Sequence, residues 1–278
     1  MKNTGIFECS VHTHSEFCDG KNSLAEMAEA AFSAGVKYLG FSGHIHTAIP
    51  HDAGNVLEPG AVAYLAEAGR LKAEYAGRME VLTGIEWDSC SDEKVPGEID
   101  YWIGSVHNLR APENGKFYSV DWRRDSFCAC RDEVYGGDIY AMVEAYYAEV
   151  ARVAAMKPTI LGHIDLITKL NGDGRFFDEK SEAYRKLALA ALEKADAETT
   201  LLEINTGAVA RAYRDEAYPA LFLLEAWREM GGRVIITSDA HRREHILFGY
   251  ARAVELAKRA GFGSCAVLSL KGIRDCGI

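Results

Sequence analysis

Two hydrophobic patterns alternate along the chain: short, continuously apolar runs, and longer segments in which apolar residues recur every three to four positions. Runs such as RVIITS, TLLEIN and TILGHI are typical of strands buried on both faces. The pattern predicts seven strands and a final apolar run, at Ile6–Thr13, Tyr38–Ser42, Glu80–Glu86, Tyr101–Val106, Thr159–His163, Thr200–Asn205, Arg233–Ser238 and Ala266–Leu270.

Helical segments lie between these runs, and several of them end in glycine, as helix carboxyl termini often do. Clear examples are SLAEMAEAAFSAG, DIYAMVEAYYAEVARVAAM and ILFGYARAVELAKRAG. Strands that alternate with helices predict an α/β fold with a parallel sheet, either closed into a barrel or open and doubly wound.

The chain contains no Pro/Gly/Ser-rich linker and no abrupt change in composition, so we expect a single domain over residues 1–278. Two stretches carry little regular pattern, His46–Pro59 and Asn108–Gly137. Loops of this length in a compact domain tend to be functional, so both are predicted to lie over a site.

The bulk composition excludes some partners. A hydrophobic content of 48%, a charged content of 26% and a net charge of −10 describe an ordinary acidic globular chain, which does not suit binding to nucleic-acid phosphates. No signal peptide and no apolar run long enough to span a bilayer is visible, so we expect a cytoplasmic protein without a membrane partner. Seven scattered cysteines then indicate reduced thiols.

The candidate chemistry lies at strand ends. Six of the nine histidines fall in or just beyond the carboxyl end of a predicted strand, namely His12, His14, His44, His107, His163 and His241. Glu86 and Asp239 occupy the same kind of position. Because ligands bind at the carboxyl ends of parallel strands, we expect these side chains to meet at one rim.

The HTH tripeptide alone fits either a metal site or two solvated histidines, because alternate side chains of a strand share a face. Six histidines and two carboxylates at one edge favour metal, since clustering them without a cation costs several kcal/mol. The mixed donor set suits zinc, manganese or iron, and its size predicts two or three ions, which could clamp a phosphoryl group. The loop residues His46 and His51 are expected to be solvated or to face substrate, and His245 to lie at the surface.

The motifs HTHS, GIEWD, GSVH, GHID, LEINTGA and SDAH resemble, in sequence and in order, the PHP (polymerase and histidinol phosphatase) superfamily. The resemblance covers nearly the whole chain and is nearest to PHP-type histidinol-phosphatases. It implies a distorted (β/α)7 TIM-like barrel with a metal site at the carboxyl rim of the strands. It also implies hydrolysis of histidinol phosphate to histidinol and phosphate, in histidine biosynthesis, by a hydroxide that bridges the metals.

Three ligand sets follow from the resemblance. They are His12, His14, Glu86 and Asp239 for one ion, Glu86, His107 and His163 for a second, and Asp19, His44 and His241 for a third. Many members carry an aspartate just before the second-strand histidine, where this chain has Gly43, so what orients His44 and whether the third ion binds stay open.

Catalytic roles are expected for Glu86 as the bridging carboxylate and for Asp19 and His241 as candidate proton donors. Arg211, Arg214 and Lys169 are candidate phosphate-binding residues, although an ion pair at the surface or between helices explains each of them about as well. Residues around Tyr118–Asp121 could contact an imidazole or an amine.

Other functions stay open at this point. The same metal site could serve a phosphatase or phosphodiesterase acting on another small metabolite or nucleotide. A catalytically silent metal domain would be expected to lack ligands, and none is missing. An amidohydrolase would be expected to place a lysine at a strand end, and none is found there. The oligomeric state is not readable from the sequence.

Overall fold

The structure is a computed structural model that describes residues 5–45, 49, 60–91, 95 and 97–278. Its described strands are β1 Cys9–Ser10, β2 Tyr38–Ile45, β3 Glu80–Asp88, β4 Tyr101–Ser105, β5 Asn108–Arg110, β6 Phe117–Ser119, β7 Ile160–Leu161, β8 Leu201–Asn205, β9 Arg233–Thr237, β10 Ser264–Ser269 and β11 Gly272–Gly277. Its described α-helices are α1 Leu24–Ser33, α2 Gly60–Glu74, α3 Arg124–Ala129, α4 Ile139–Ala155, α5 Glu182–Leu192, α6 Gly207–Ala210, α7 Leu221–Glu229 and α8 Tyr250–Arg259.

The main sheet runs in the order β1-β2-β3-β4-β7-β8-β9-β10-β11. Its neighbouring strands are parallel up to β10, and only β11 pairs antiparallel. A parallel bridge between Thr13, beyond β1, and Ala240, beyond β9, joins the carboxyl ends of two distant strands. The sheet is therefore curled, and the α/β class with a parallel sheet is confirmed.

Tyr101 of β4 fixes the level of the first strands relative to one another. Its hydroxyl lies 2.6 Å from the carbonyl oxygen of Val11 and 2.9 Å from that of Phe41. Two glycines make room for the ring, because a Cβ on Gly40 or Gly84 would lie 2.4 Å from atoms of Tyr101. These contacts lie just below the point where β1 and β2 deliver their histidines to the carboxyl edge of the sheet.

The helices begin and end where local chemistry satisfies their free backbone groups. Ser23 and Glu26 form a capping box at the start of α1, and the Asp138 side chain accepts from two backbone amides at the start of α4. Helix α8 begins only at Tyr250, because Gly249 before it is left-handed with φ of 72°. None of the described helices is long and apolar enough to cross a membrane.

The structure departs from the predicted elements in three places. Strand β1 covers only Cys9–Ser10, because residues Gly5–Glu8 form a 3-10 helix, and β7 is also short. The segment predicted as a loop over Asn108–Gly137 contains the β5–β6 hairpin, helix α3 and a π-helix at Cys130–Val134. Most of His46–Pro59 lies outside the described residues, including His46 and His51.

Candidate active site and metal-binding cluster

A cavity of about 780 Å³ opens at the carboxyl edge of the curled sheet. Its walls come from the ends of several strands and from the loops that follow them. The predicted site residues among its lining are Asp19, His44, Glu86, His107, His163, Lys169, Arg211, Asp239 and His241. Residues that are far apart in sequence are therefore brought to one place.

Glu86 of β3 is fully buried and lies at the centre of five imidazoles. Each imidazole directs a ring nitrogen toward one of the two carboxylate oxygens. The separations are 3.2 Å from His12 Nε2, 3.3 Å from His14 Nε2 and 3.1 Å from His44 Nδ1 to Oε2, and 2.9 Å from His163 Nε2 and 3.4 Å from His107 Nε2 to Oε1. Such a ring of donors around one carboxylate fits a carboxylate shared between cations.

His241 connects the two remaining carboxylates of the cluster. Its Nε2 lies 3.0 Å from Asp19 Oδ2, and its Nδ1 lies 3.3 Å from Asp239 Oδ1. Asp239 Oδ1 is also 3.2 Å from His14 Nε2, and Asp19 Oδ1 is 3.5 Å from His44 Nε2. All nine predicted ligands thus belong to one continuous network.

Four sets of these residues place their donor atoms within 4.8 Å of one another, which is close enough to share an ion. The sets are His14, Asp19, His44 and His241; His12, His163 and Asp239; His12, His14 and Glu86; and His44, Glu86 and His107. The sets keep Asp19, His44 and His241 together, as the sequence analysis predicts. One set groups His163 with His12 and Asp239, and the His163 ring also lies 5.0 Å from that of His107, with which the sequence analysis groups it.

The electrostatics of the cluster call for added positive charge. Burial disfavours the charged imidazole of His12, but the Glu203, Glu86 and Asp239 carboxylates outweigh burial and raise its pKa to about 10. In His107, burial is likewise outweighed, chiefly by Glu86, and the pKa rises to about 10. The Nε2 atoms of His12 and His14 are buried and make no hydrogen bond to any described residue. These nitrogen and oxygen donors therefore fit a divalent cation, which would supply the charge that the carboxylates attract.

The pKa of His44 shifts in the opposite direction to those of His12 and His107, because burial outweighs the neighbouring carboxylates. Burial lowers the pKa of His44 to about 3, in spite of the nearby Glu86 and Asp19 carboxylates. A neutral imidazole is the form that binds a metal. The residue before it, Gly43, donates its backbone N–H to the Tyr64 hydroxyl at 3.2 Å, and that hydroxyl donates to the Gly84 carbonyl at 2.7 Å.

Two carboxylates that the sequence analysis did not select orient the imidazoles. Glu203 Oε1 lies 2.5 Å from His12 Nδ1, and Asp88 Oδ2 lies 3.1 Å from His107 Nδ1. Both contacts turn Nε2 of the ring toward Glu86, as outer carboxylates do in metal sites. The sequence carries a signal for both: Asp88 follows Glu86 by two positions on the same strand face, and Glu203 is the only charged residue in the strand LLEIN.

The groups around Glu203 stabilise its ionised form. Its two oxygens accept four hydrogen bonds, from His12 Nδ1 at 2.5 Å, the Thr237 hydroxyl at 2.7 Å, the His163 backbone N–H at 2.8 Å and Asn205 Nδ2 at 3.0 Å. Burial raises its pKa, but the His12 charge outweighs burial and the net shift is downward. Each oxygen faces two donors, so an amide at this position would point its NH₂ group at two of them.

Replacing Glu203 with glutamine is therefore expected to lower metal affinity or activity by roughly 10- to 100-fold. Metal titration followed by phosphate-release assays would measure both quantities. The exposed residue Glu198 offers a matched control as Glu198→Gln. Unchanged metal affinity and activity in Glu203→Gln would show that Glu203 does not orient the cluster.

Comparison with known proteins identifies the family. The PHP domain family model matches residues 10–207, which include seven of the nine network residues and Glu203, but not Asp239 and His241. The chain belongs to the PHP domain family. A protein of Deinococcus radiodurans named "Probable histidinol-phosphatase" is 32% identical over 269 residues, covering 93% of this chain and 95% of that protein. The "Histidinol-phosphatase" of Bacillus subtilis is 26% identical over 270 residues, covering 88% and 97%.

Solved structures share the fold of this PHP domain. The structure of histidinol phosphate phosphatase from Lactococcus lactis, complexed with zinc, L-histidinol and phosphate, superposes with a TM-score of 0.67 at 20% identity, covering 96% of this chain and 99% of that one. The putative histidinol phosphatase of Listeria monocytogenes gives a TM-score of 0.68 at 22% identity, covering 87% and 98%. The family model and the 32% identical relative confirm the resemblance to PHP-type histidinol-phosphatases, and these structures show the same fold.

Arg211 lies against the cluster of this PHP domain. Its guanidinium donates to Asp239 Oδ2 at 2.9 Å and to His241 Nδ1 at 2.9 Å, and it lines the cavity. The Asp239 carboxylate outweighs burial and raises the pKa of Arg211. A fixed cation therefore stands at the edge of the predicted ligand set.

Lys169 and Arg214 lie on neighbouring loops, but their surroundings differ. Lys169 lines the cavity and donates to Asp121 Oδ2 at 2.7 Å. Burial is outweighed by the Lys169 charge, which holds the pKa of Asp121 at about 2. Arg214 is not part of the cavity lining and forms a two-pronged pair with the Glu179 carboxylate, each contact being 2.8 Å.

Two further residues occupy places that the sequence analysis did not expect. His245, predicted at the surface, is partly buried and lines the cavity. Cys18 Sγ lies 3.4 Å from His14 Nδ1, so this thiol contacts the other nitrogen of the ring whose Nε2 is directed toward Glu86. Neither the position of His245 nor the contact between Cys18 and His14 has a signal in the local sequence.

Proposed function

We propose that this chain is a metal-dependent phosphomonoester hydrolase that converts L-histidinol phosphate and water to L-histidinol and phosphate, a step of histidine biosynthesis in the cytoplasm. The convergence of nine ligand-type side chains in one network, seven of which line the cavity, carries the proposal. The named function of relatives that match about nine-tenths of the chain supports the choice of substrate.

The cofactors we propose are two to three divalent ions, zinc, manganese or iron, at the carboxyl rim of a distorted (β/α)7 barrel. The ligand sets are those of the sequence analysis, with Glu86 shared between two ions. The zinc in the Lactococcus lactis structure supports zinc as one candidate. Bound ions would neutralise the phosphate dianion and make a bound water a better nucleophile at neutral pH.

The chain's own residues have separate tasks in this proposal. Arg211 and Lys169 bind the phosphate oxygens, since both present a cation to the cavity. Asp19 and His241, whose Oδ2 and Nε2 lie 3.0 Å apart at the partly exposed side of the cluster, handle the proton that the leaving oxygen requires. Arg214 holds the two loops together through Glu179 and the Thr168 carbonyl, outside the substrate cavity.

A bacterial strain that lacks its own histidinol-phosphatase tests this function in the cell. Expression of the chain should restore growth without histidine, and expression of the Glu86→Ala variant at the same level should not. If the chain accumulates as folded protein and growth is not restored, histidinol phosphate is not its substrate, and another small phosphorylated metabolite or nucleotide becomes the better candidate.

A further inference from the structure

An ion pair spans part of the cavity wall beyond the metal-ligand network. Lys169 Nζ lies 2.7 Å from Asp121 Oδ2, and the two side chains are only 11% and 15% exposed. Asp121 Oδ1 accepts from the Ser119 hydroxyl at 3.1 Å, and Lys169 Nζ lies 5.0 Å from the centre of the Tyr213 ring. Asp121, Lys169 and Tyr213 all line the cavity.

A largely buried ion pair of this kind is poorly explained by a contribution to stability alone. Removing two charges from water costs free energy that their attraction only partly offsets, so a largely buried pair is weak support for stability. Here both partners line a cavity wide enough for a ligand, whereas neither Arg214 nor Glu179 of the comparable pair lines it. The Lys169–Asp121 pair is therefore placed where a ligand can reach and separate it.

We propose that Asp121 is the residue that selects a protonated amine on the substrate. This inference rests on the proposed function and assigns the residue that distinguishes an ester with a protonated amine from one without it. The substrate carries the same two charges as the pair: its ammonium takes the place of Lys169 on Asp121, and its phosphate takes the place of Asp121 on Lys169. Both buried charges stay compensated when the pair opens, so the exchange avoids the cost of an isolated charge.

The geometry of the surrounding loop supports this exchange. The Ser119 hydroxyl accepts the Asp121 and Trp122 backbone amides at 3.4 Å and 3.0 Å, so the turn that carries Asp121 is held independently of Lys169. Asp121 therefore keeps its position when Lys169 moves to the phosphate. Trp122, half exposed beside it, and Tyr213 border the same part of the cavity and offer ring faces to an aromatic leaving group.

Steady-state kinetics on two esters test the proposal in the metal-loaded protein. The esters are L-histidinol phosphate and 3-(imidazol-4-yl)propyl phosphate, which lacks only the amine. The wild-type protein should prefer the amine-bearing ester by roughly 10- to 100-fold in kcat/KM, mainly through KM, as expected for a charged hydrogen bond. Asp121→Asn should remove most of this preference, and Asp121→Glu, which keeps the charge, should retain part of it.

Binding measured by calorimetry gives a readout that does not depend on turnover. Asp121→Asn should weaken binding of L-histidinol by roughly 10- to 100-fold while binding of inorganic phosphate stays within about twofold or becomes tighter, because Lys169 is released. The matched control is Asp173→Asn, which alters an aspartate whose side chain is 96% exposed. Equal weakening of both ligands, or no change in either, would overturn the role of Asp121.

The proposed function can fail separately from this inference. Equal rates of the wild-type protein on the two esters would overturn the amine selection and leave a phosphomonoesterase in place. Release of phosphate from neither ester would overturn the proposed function and the inference with it.

Discussion

Replacing Glu86 with alanine is expected to abolish phosphate release and to lower the metal content of the purified protein. Glu86 lies within 3.4 Å of five imidazoles and is the only carboxylate that reaches all of them among the described residues. Loss of outer-shell partners already costs 10- to 100-fold, so loss of this shared carboxylate should lower kcat/KM by more than about 100-fold. Metal analysis and a phosphate-release assay on the same sample would measure both effects.

Glu80→Ala is the matched control for this variant. Glu80 begins the same strand, and its carboxylate accepts the Leu270 backbone N–H at the opposite end of the sheet. Metal content and activity should stay at the wild-type level in the control. Full activity in Glu86→Ala would contradict the whole arrangement of the site.

Removal of divalent ions with a chelator should abolish activity and destabilise the fold. An ion that binds only the folded chain adds about 2.7 kcal/mol to the free energy of unfolding when present at 100 times its Kd. Loss of two or three such ions removes about 5–8 kcal/mol, which should lower the melting temperature by roughly 10–16 °C at about 2 °C per kcal/mol for a chain of this size. Differential scanning calorimetry before and after chelation would measure the shift.

Zinc, manganese and iron should each be added back to the chelated protein, and at least one of them should restore both the activity and the melting temperature. Calcium serves as a control, because it prefers oxygen ligands and fits this histidine-rich set poorly. A chelated protein with no detectable metal and unchanged turnover would exclude a metal-dependent reaction.

The convergence of the site could be predicted because the fold class fixes where strand ends meet. Once the pattern predicts parallel strands, His12, Glu86, His163 and Asp239 share one edge, although up to 227 positions separate them in sequence. The distances then place all nine predicted ligand-type residues in one network. The extent of the domain, 1–278, and the role of each ligand stay predictions.

The individual contacts between distant segments could not be predicted in the same way. Glu203 contacts His12, which is 191 positions away in sequence, and nothing in the TLLEIN segment indicates that a histidine lies beside Glu203. The pairing of Arg214 with Glu179 is equally invisible, because it depends on how two loops pack. The hairpin at Asn108–Arg110 and Phe117–Ser119 cannot be predicted from the sequence, because three-residue strands carry too short a pattern.

The central claim is that this cluster hydrolyses L-histidinol phosphate. Its most direct test is the rate of phosphate release by the metal-reconstituted protein from L-histidinol phosphate and from a panel of other phosphomonoesters, each normalised to the metal bound. The proposal predicts a kcat/KM for L-histidinol phosphate well above that for any other member of the panel, and no release in the Glu86→Ala protein. Release from L-histidinol phosphate no faster than from a generic phosphomonoester would contradict it.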